Sequence, residues 1–132
     1  MISLLSKSFL LSFFASYLLL GNLTFAQQLP DQAMVDKAYK QGSIRVILQL
    51  NVDFTPEGNL PVAASVGLQR AAIASTQRLV ISNLKLNHAS VIARYKTIPN
   101  LALEVDAEKL QQLYDFDSVS LVMEDIPSPL VM

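Results

Sequence analysis

Residues 91–125, VIARYKTIPNLALEVDAEKLQQLYDFDSVSLVMED, leave this chain few folds to choose from. Val91, Ala93 and Tyr95 alternate with Ile92, Arg94 and Lys96, the two-residue period of a strand. Ile98-Pro99-Asn100 breaks that period, because proline cannot donate to a ladder and Pro-Asn is turn chemistry. Leu101, Leu103 and Val105 then alternate with Ala102 and Glu104. Asp106 is placed to cap a helix in which Leu110, Leu113 and Tyr114 share one face. Val119, Leu121 and Met123 form a last alternating run, closed by Glu124-Asp125 and a proline-broken tail. Strand, tight turn, strand, short helix, strand is the second half of a split β-α-β domain.

Upstream residues complete the pattern. Residues 32–41 read as a short helix with Ala33, Val35 and Ala38 apolar and Gly42 as its stop. Residues 44–50 alternate as a first strand, with Ile44, Val46, Leu48 and Leu50 on one side and Arg45, Ile47 and Gln49 on the other. Residues 51–67 hold two prolines and two glycines, so they are expected to form a long loop, an insertion in a compact domain. Residues 69–86 read as a helix in which Ala72, Ile73, Thr76, Val80 and Leu84 point inward, while Arg70, Gln77, Arg78 and Lys85 sit outside. The simplest packing is an α+β, ferredoxin-like domain: a four-stranded antiparallel sheet with the two longer helices on one face.

Residues 1–26 have the pattern of a cleaved secretory signal peptide. Lys7 supplies the positive start, residues 9–20 the apolar stretch, and Thr24 and Ala26 the small residues before the cut. A membrane anchor is the alternative, but the apolar run falls short of the roughly 20 residues a spanning helix needs. Secretion or a periplasmic location follows as the expectation. The 52% hydrophobic content is inflated by this segment, and removing Lys7 leaves nine basic residues against eleven acidic ones. A mildly acidic chain of this kind is not expected to bind nucleic acid, which needs clustered positive charge. No cysteine is present, which rules out disulfides and thiolate metal sites. The rest divides into a leader with a short helix at 27–43, the sheet domain at 44–125 and an extended tail at 126–132.

Strand alternation also assigns the faces of the sheet. With Val46, Leu48, Val91, Tyr95, Leu103, Val105, Val119 and Leu121 toward the helices, the uncovered face carries a second set. That set is Arg45, Ile47, Gln49, Ile92, Arg94, Lys96, Ala102, Glu104, Ser120, Val122 and Glu124. It mixes apolar residues with charges, as interaction faces do. Isolated β-branched residues are also ordinary on a solvated sheet.

Nothing in the chain points to chemistry of its own. A serine protease needs nucleophile, base and orienting acid together, and the sole histidine, His88, lies between a helix and a strand. No G-x-S-x-G elbow occurs. Asp115 and Asp117 lack the spacing of a calcium loop, and Gly58 and Gly67 do not make a phosphate loop. The expectation is a non-enzymatic protein with no cofactor and no metal.

The run V-x-x-R-Y-x-T-I-P-x-L-A-L-E-V-D-A at 91–107, a short helix and then V-x-L-V-x-E-D at 119–125 closely resembles the propeptides of secreted subtilisin-like serine proteases. The R-V-I-L-Q-L strand at 45–50, F-x-P-E-G at 54–58 and Q-R-A-A-I-A at 69–74 extend the resemblance to about residues 35–125. It implies the same ferredoxin-like fold, and it implies that the open sheet face packs on helices of a protease. Ile47, Ile92, Ala102 and Val122 would then lie in the interface. Glu124 and Asp125 would cap the N-termini of protease helices, where a carboxylate is stabilised. The family often carries a three-residue acidic run there, and this chain has Met123 in place of the first. The tail would lie in the protease cleft like a product, with Pro129, Leu130, Val131 and Met132 filling pockets. A secreted inhibitor of a subtilisin-like protease, monomeric when free and free of the membrane once the signal is cut, is the function so implied. It could also assist the folding of its target. A remnant propeptide of a truncated protease precursor and a ferredoxin-like binding module with an unrelated partner are the alternatives.

Overall fold

The computed structural model describes residues 28–129. The expected signal peptide at 1–26 and tail residues Leu130, Val131 and Met132 lie outside the described residues. In chain order the elements are α1 (Gln32–Gln41), β1 (Ile44–Leu50), a 3-10 turn at Glu57–Asn59 and α2 (Ala63–Asn83). A second 3-10 turn at His88–Ser90, β2 (Val91–Arg94), β3 (Asn100–Val105), α3 (Ala107–Tyr114) and β4 (Val119–Glu124) follow. The strands form one antiparallel sheet in the order β2-β3-β1-β4, with α1, α2 and α3 packed on one face. This is the expected ferredoxin-like α+β arrangement.

Local chemistry sets the helix ends. Asp31 caps α1 by accepting from the N–H groups of Ala33 and Met34, and Gly42 closes it at a φ of 86°, a left-handed conformation that favours glycine. Asp106 caps α3 by accepting from the Lys109 N–H at 2.8 Å. That bond, partly offset by desolvation, holds the Asp106 carboxyl below its ordinary value of 3.8. The buried faces are Met34, Val35 and Ala38 of α1 and Ala107, Leu110, Leu113 and Tyr114 of α3.

Helix α2 differs from expectation at its start. It begins at Ala63, six residues before position 69, and runs straight through Gly67. The loop before it is pinned to its second turn. Thr55 N–H donates to Gln69 Oε1 at 2.8 Å, and Gln69 Nε2 donates to the Thr55 carbonyl at 2.9 Å. Arg70 forms a two-pronged pair with Glu57 at 2.6 and 2.8 Å. Gln77 is also corrected. It is 3% exposed on the inner face with Ile73 and Val80, whereas Ala72 lies outside. Its Nε2 donates to the carbonyls of Tyr95 and Asn100, each at 2.8 Å, and so holds both sides of the β2–β3 turn.

The largest correction concerns β4. Leu50 pairs with Val119, but Gln49 pairs with Leu121, so Ser120 is an extra residue, a β-bulge. A one-residue insertion exchanges the faces of everything beyond it. Val122 therefore pairs with Leu48 and is 3% exposed in the core, not on the open face. Leu121 and Met123 pair with Gln49 and Ile47 and take the open face instead. Glu124 shares its register with Val46 and turns toward α1 rather than outward. A second irregularity leaves Ile92 unpaired in β2. Ala93 consequently stands opposite Ala102 on the open face, and Arg94 stands opposite Leu101. Tyr95 and Lys96 fall beyond the strand.

Val122→Asp should unfold the domain, since a buried unpaired carboxylate costs several kcal/mol. Met123→Asp, one residue on, should shift stability by under about 1 kcal/mol. Urea midpoints of the two variants check this. A second outcome concerns pH. The folded-state pKa of Asp106 lies below its unfolded one, so its contribution is complete above the unfolded value and is lost as pH falls through the folded value. Asp106→Ala should cost about 1 kcal/mol at neutral pH. The gap to the parent should close as the solution is acidified below the ordinary carboxylate value, measured as paired denaturation curves.

Candidate functional site

The face of the sheet opposite the helices is uncovered among the described residues, and the registers arrange it in rows. The middle row is apolar: Met123 of β4, Ile47 of β1, Ala102 of β3 and Ala93 of β2. Met123 is 40% exposed and Ile47 half-buried, while Ala102 is only 3% exposed. Beside this row lie Leu121, Gln49 and Asn100. On its other side Arg45 stands opposite Glu104.

Asp125 extends that charged row. Its N–H donates to the Arg45 carbonyl at 2.9 Å, and its Oδ2 lies 3.3 Å from Arg45 Nη2. Ser43 Oγ donates to Glu104 Oε1 at 2.7 Å. The acidic pair is thus split. Asp125 engages Arg45, whereas Glu124 is paired with Lys37 of α1. A cleft of about 210 Å3 opens between these groups where the chain leaves the sheet, lined in part by Lys37, Ile44, Arg45, Glu124, Asp125 and Ile126. Beyond it the chain has no regular structure through Pro129, which is exposed, as is Ile126 at 69%.

Ile47 and Ala102 share the open face, as strand alternation expects, and Asp125 joins its charged border through Arg45. Ile92 is exposed but is the unpaired bulge residue at the margin. Val122 and Glu124 are not on the open face, and Met123, Leu121 and Ala93 take their place. The available signal for the exchange was the three-residue spacing between Val119 and Val122 around a small polar Ser120. His88 is exposed in its 3-10 turn. Among the described residues no group of three or more His, Asp or Glu side chains is gathered as metal ligands, and no helix is long and apolar enough to cross a membrane.

No family model, curated protein or solved structure matches this chain.

Chemically, the surface offers a short apolar strip with a charged border. The Lys37–Glu124 and Arg45–Asp125 pairs are half-exposed, and such pairs contribute little to stability. Lys37→Ala and Arg45→Ala should each lower the free domain's stability by less than about 1 kcal/mol. The loss should shrink further in concentrated salt, read from urea midpoints at two ionic strengths.

Proposed function

We propose that this chain is a secreted, non-enzymatic inhibitor of a subtilisin-like serine protease, docking through its open sheet face and laying its tail in the protease cleft. The observation that carries the reading is the apolar row of the open face, exposed at Met123 and half-exposed at Ile47 and Ala93, beside the point where the tail departs. The sequence resemblance over residues 35–125 supplies the partner class. The separate engagement of Asp125 with Arg45 keeps the start of the tail on the open-face side of the sheet. From there an extended segment with Pro127 and Pro129 can continue as a strand-like occupant of a groove. Asp125, on the open face, is the better placed of the two acids to meet a protease helix N-terminus. Glu124 would have to leave Lys37 to do so.

The test is a titration of the purified protein against several subtilisin-like proteases, following peptide hydrolysis. Competitive inhibition is expected, with no hydrolysis by the protein itself. Met123→Asp should abolish most of the inhibition while the domain stays folded. Deleting residues 129–132 should weaken inhibition by well over tenfold, about 1.4 kcal/mol or more. Full protease activity at micromolar protein would sink the reading and favour a binding module for an unrelated partner.

A further inference from the structure

We propose that the Gln28 side chain plugs the outer edge of the sheet, and that the strand it keeps out is β4 of a second copy of this chain. Among the described residues, strand β4 is bonded to another strand, β1, on one side only. Its other edge presents main-chain N–H and C=O groups outward, and the pair on Val122 is occupied by one side chain. Val122 N–H donates to Gln28 Oε1 at 2.8 Å, and Gln28 Nε2 donates to the Val122 carbonyl at 3.3 Å. A primary amide carries the same donor and acceptor as a peptide group. Gln28 thus meets Val122 as the facing residue of a fifth antiparallel strand would.

The amide is delivered by folded structure. Three residues on, the Asp31 N–H donates to the Tyr114 hydroxyl of α3 at 3.2 Å, and the Asp31 side chain caps α1. The segment is therefore tied at its base beside the edge it covers.

The strand's own sequence suits a second copy of this chain as the excluded partner. Beyond the bulge at Ser120, the run Leu-Val-Met-Glu contains no lysine and no proline, two of the residue types that deter edge pairing. Its one charge, Glu124, is already paired with Lys37. An antiparallel pairing of two copies about a two-fold axis at Val122 sets Leu121 of one against Met123 of the other. It sets Ser120 of one against Glu124 of the other, so no like charges meet. The far edge of the sheet is guarded differently, since β2 is short, interrupted at Ile92 and ends on the exposed Arg94.

The full chain is expressed, and the purified protein is weighed intact to place its first residue. Sedimentation velocity then follows its assembly from micromolar to millimolar concentration. The parent should remain monomeric. Gln28→Ala should raise the dimer population about tenfold or more at equal concentration, because two edge hydrogen bonds are released. Gln28→Glu keeps the acceptor but sets an oxygen against the Val122 carbonyl, and should fall between the two. Adding Ser120→Glu to Gln28→Ala should restore the monomer, because two carboxylates would then meet across the new pair. A monomeric Gln28→Ala protein would overturn the proposal. So would a dimer indifferent to Ser120→Glu, a parent protein equally dimeric, or a purified chain that begins after Gln28.

Discussion

Between Gln49 and Leu50 strand β1 takes one step, and β4 takes two residues to match it. That extra residue, Ser120, decides what the rest of β4 does. It turns Val122 into the layer formed by Leu48, Leu101 and Leu103, none of which is exposed. It turns Leu121 and Met123 out beside Ile47 and Ala102, which creates the apolar row. It also brings the Asp125 N–H back onto the Arg45 carbonyl, so the chain leaves the sheet in a fixed register. A bulge increases local twist as well as adding a residue, and bulges are common at sheet edges next to functional surfaces.

Three glutamines do a second job that neither helices nor ladders reach. Gln69 brackets Thr55, Gln77 spans the carbonyls of Tyr95 and Asn100, and Gln28 brackets Val122. Each satisfies main-chain groups in a loop, a turn or an edge, where an unpaired group would cost free energy if buried. Gln77 is the deepest of the three. Consistent with this, no buried side-chain polar atom among the described residues lacks a partner. The connection at 51–62 is therefore held to α2 by Gln69 and Arg70 rather than by an apolar core of its own.

Much of the fold was legible in the sequence because its elements are locally consistent. The limits of α1 and β1, the Asp106 cap and the buried face of α3 follow from capping chemistry and period alone. The start of α2 does not, because Ala63-Ala64-Ser65-Val66-Gly67 has no apolar stripe and its helix is supported by the loop folded against it. The inward position of Gln77 is hidden for a related reason: its partners are main-chain carbonyls, which leave no mark in composition. The candidate site was half legible. Period-two reasoning is right for β1 and β3, where pairing is regular. It fails in β2 and β4, where one extra residue in each exchanges the faces.

The outward set on β4 is the claim on which the proposed interface rests, and thiol labelling tests it directly. The chain has no cysteine, so Leu121→Cys, Val122→Cys and Met123→Cys each report a single position. The bulged register predicts rapid modification at 123, slower but clear modification at 121 and protection at 122 until the domain is unfolded. Rapid labelling at 122 with protection at 121 and 123 would mean an unbulged strand, and would remove the apolar row from the open face.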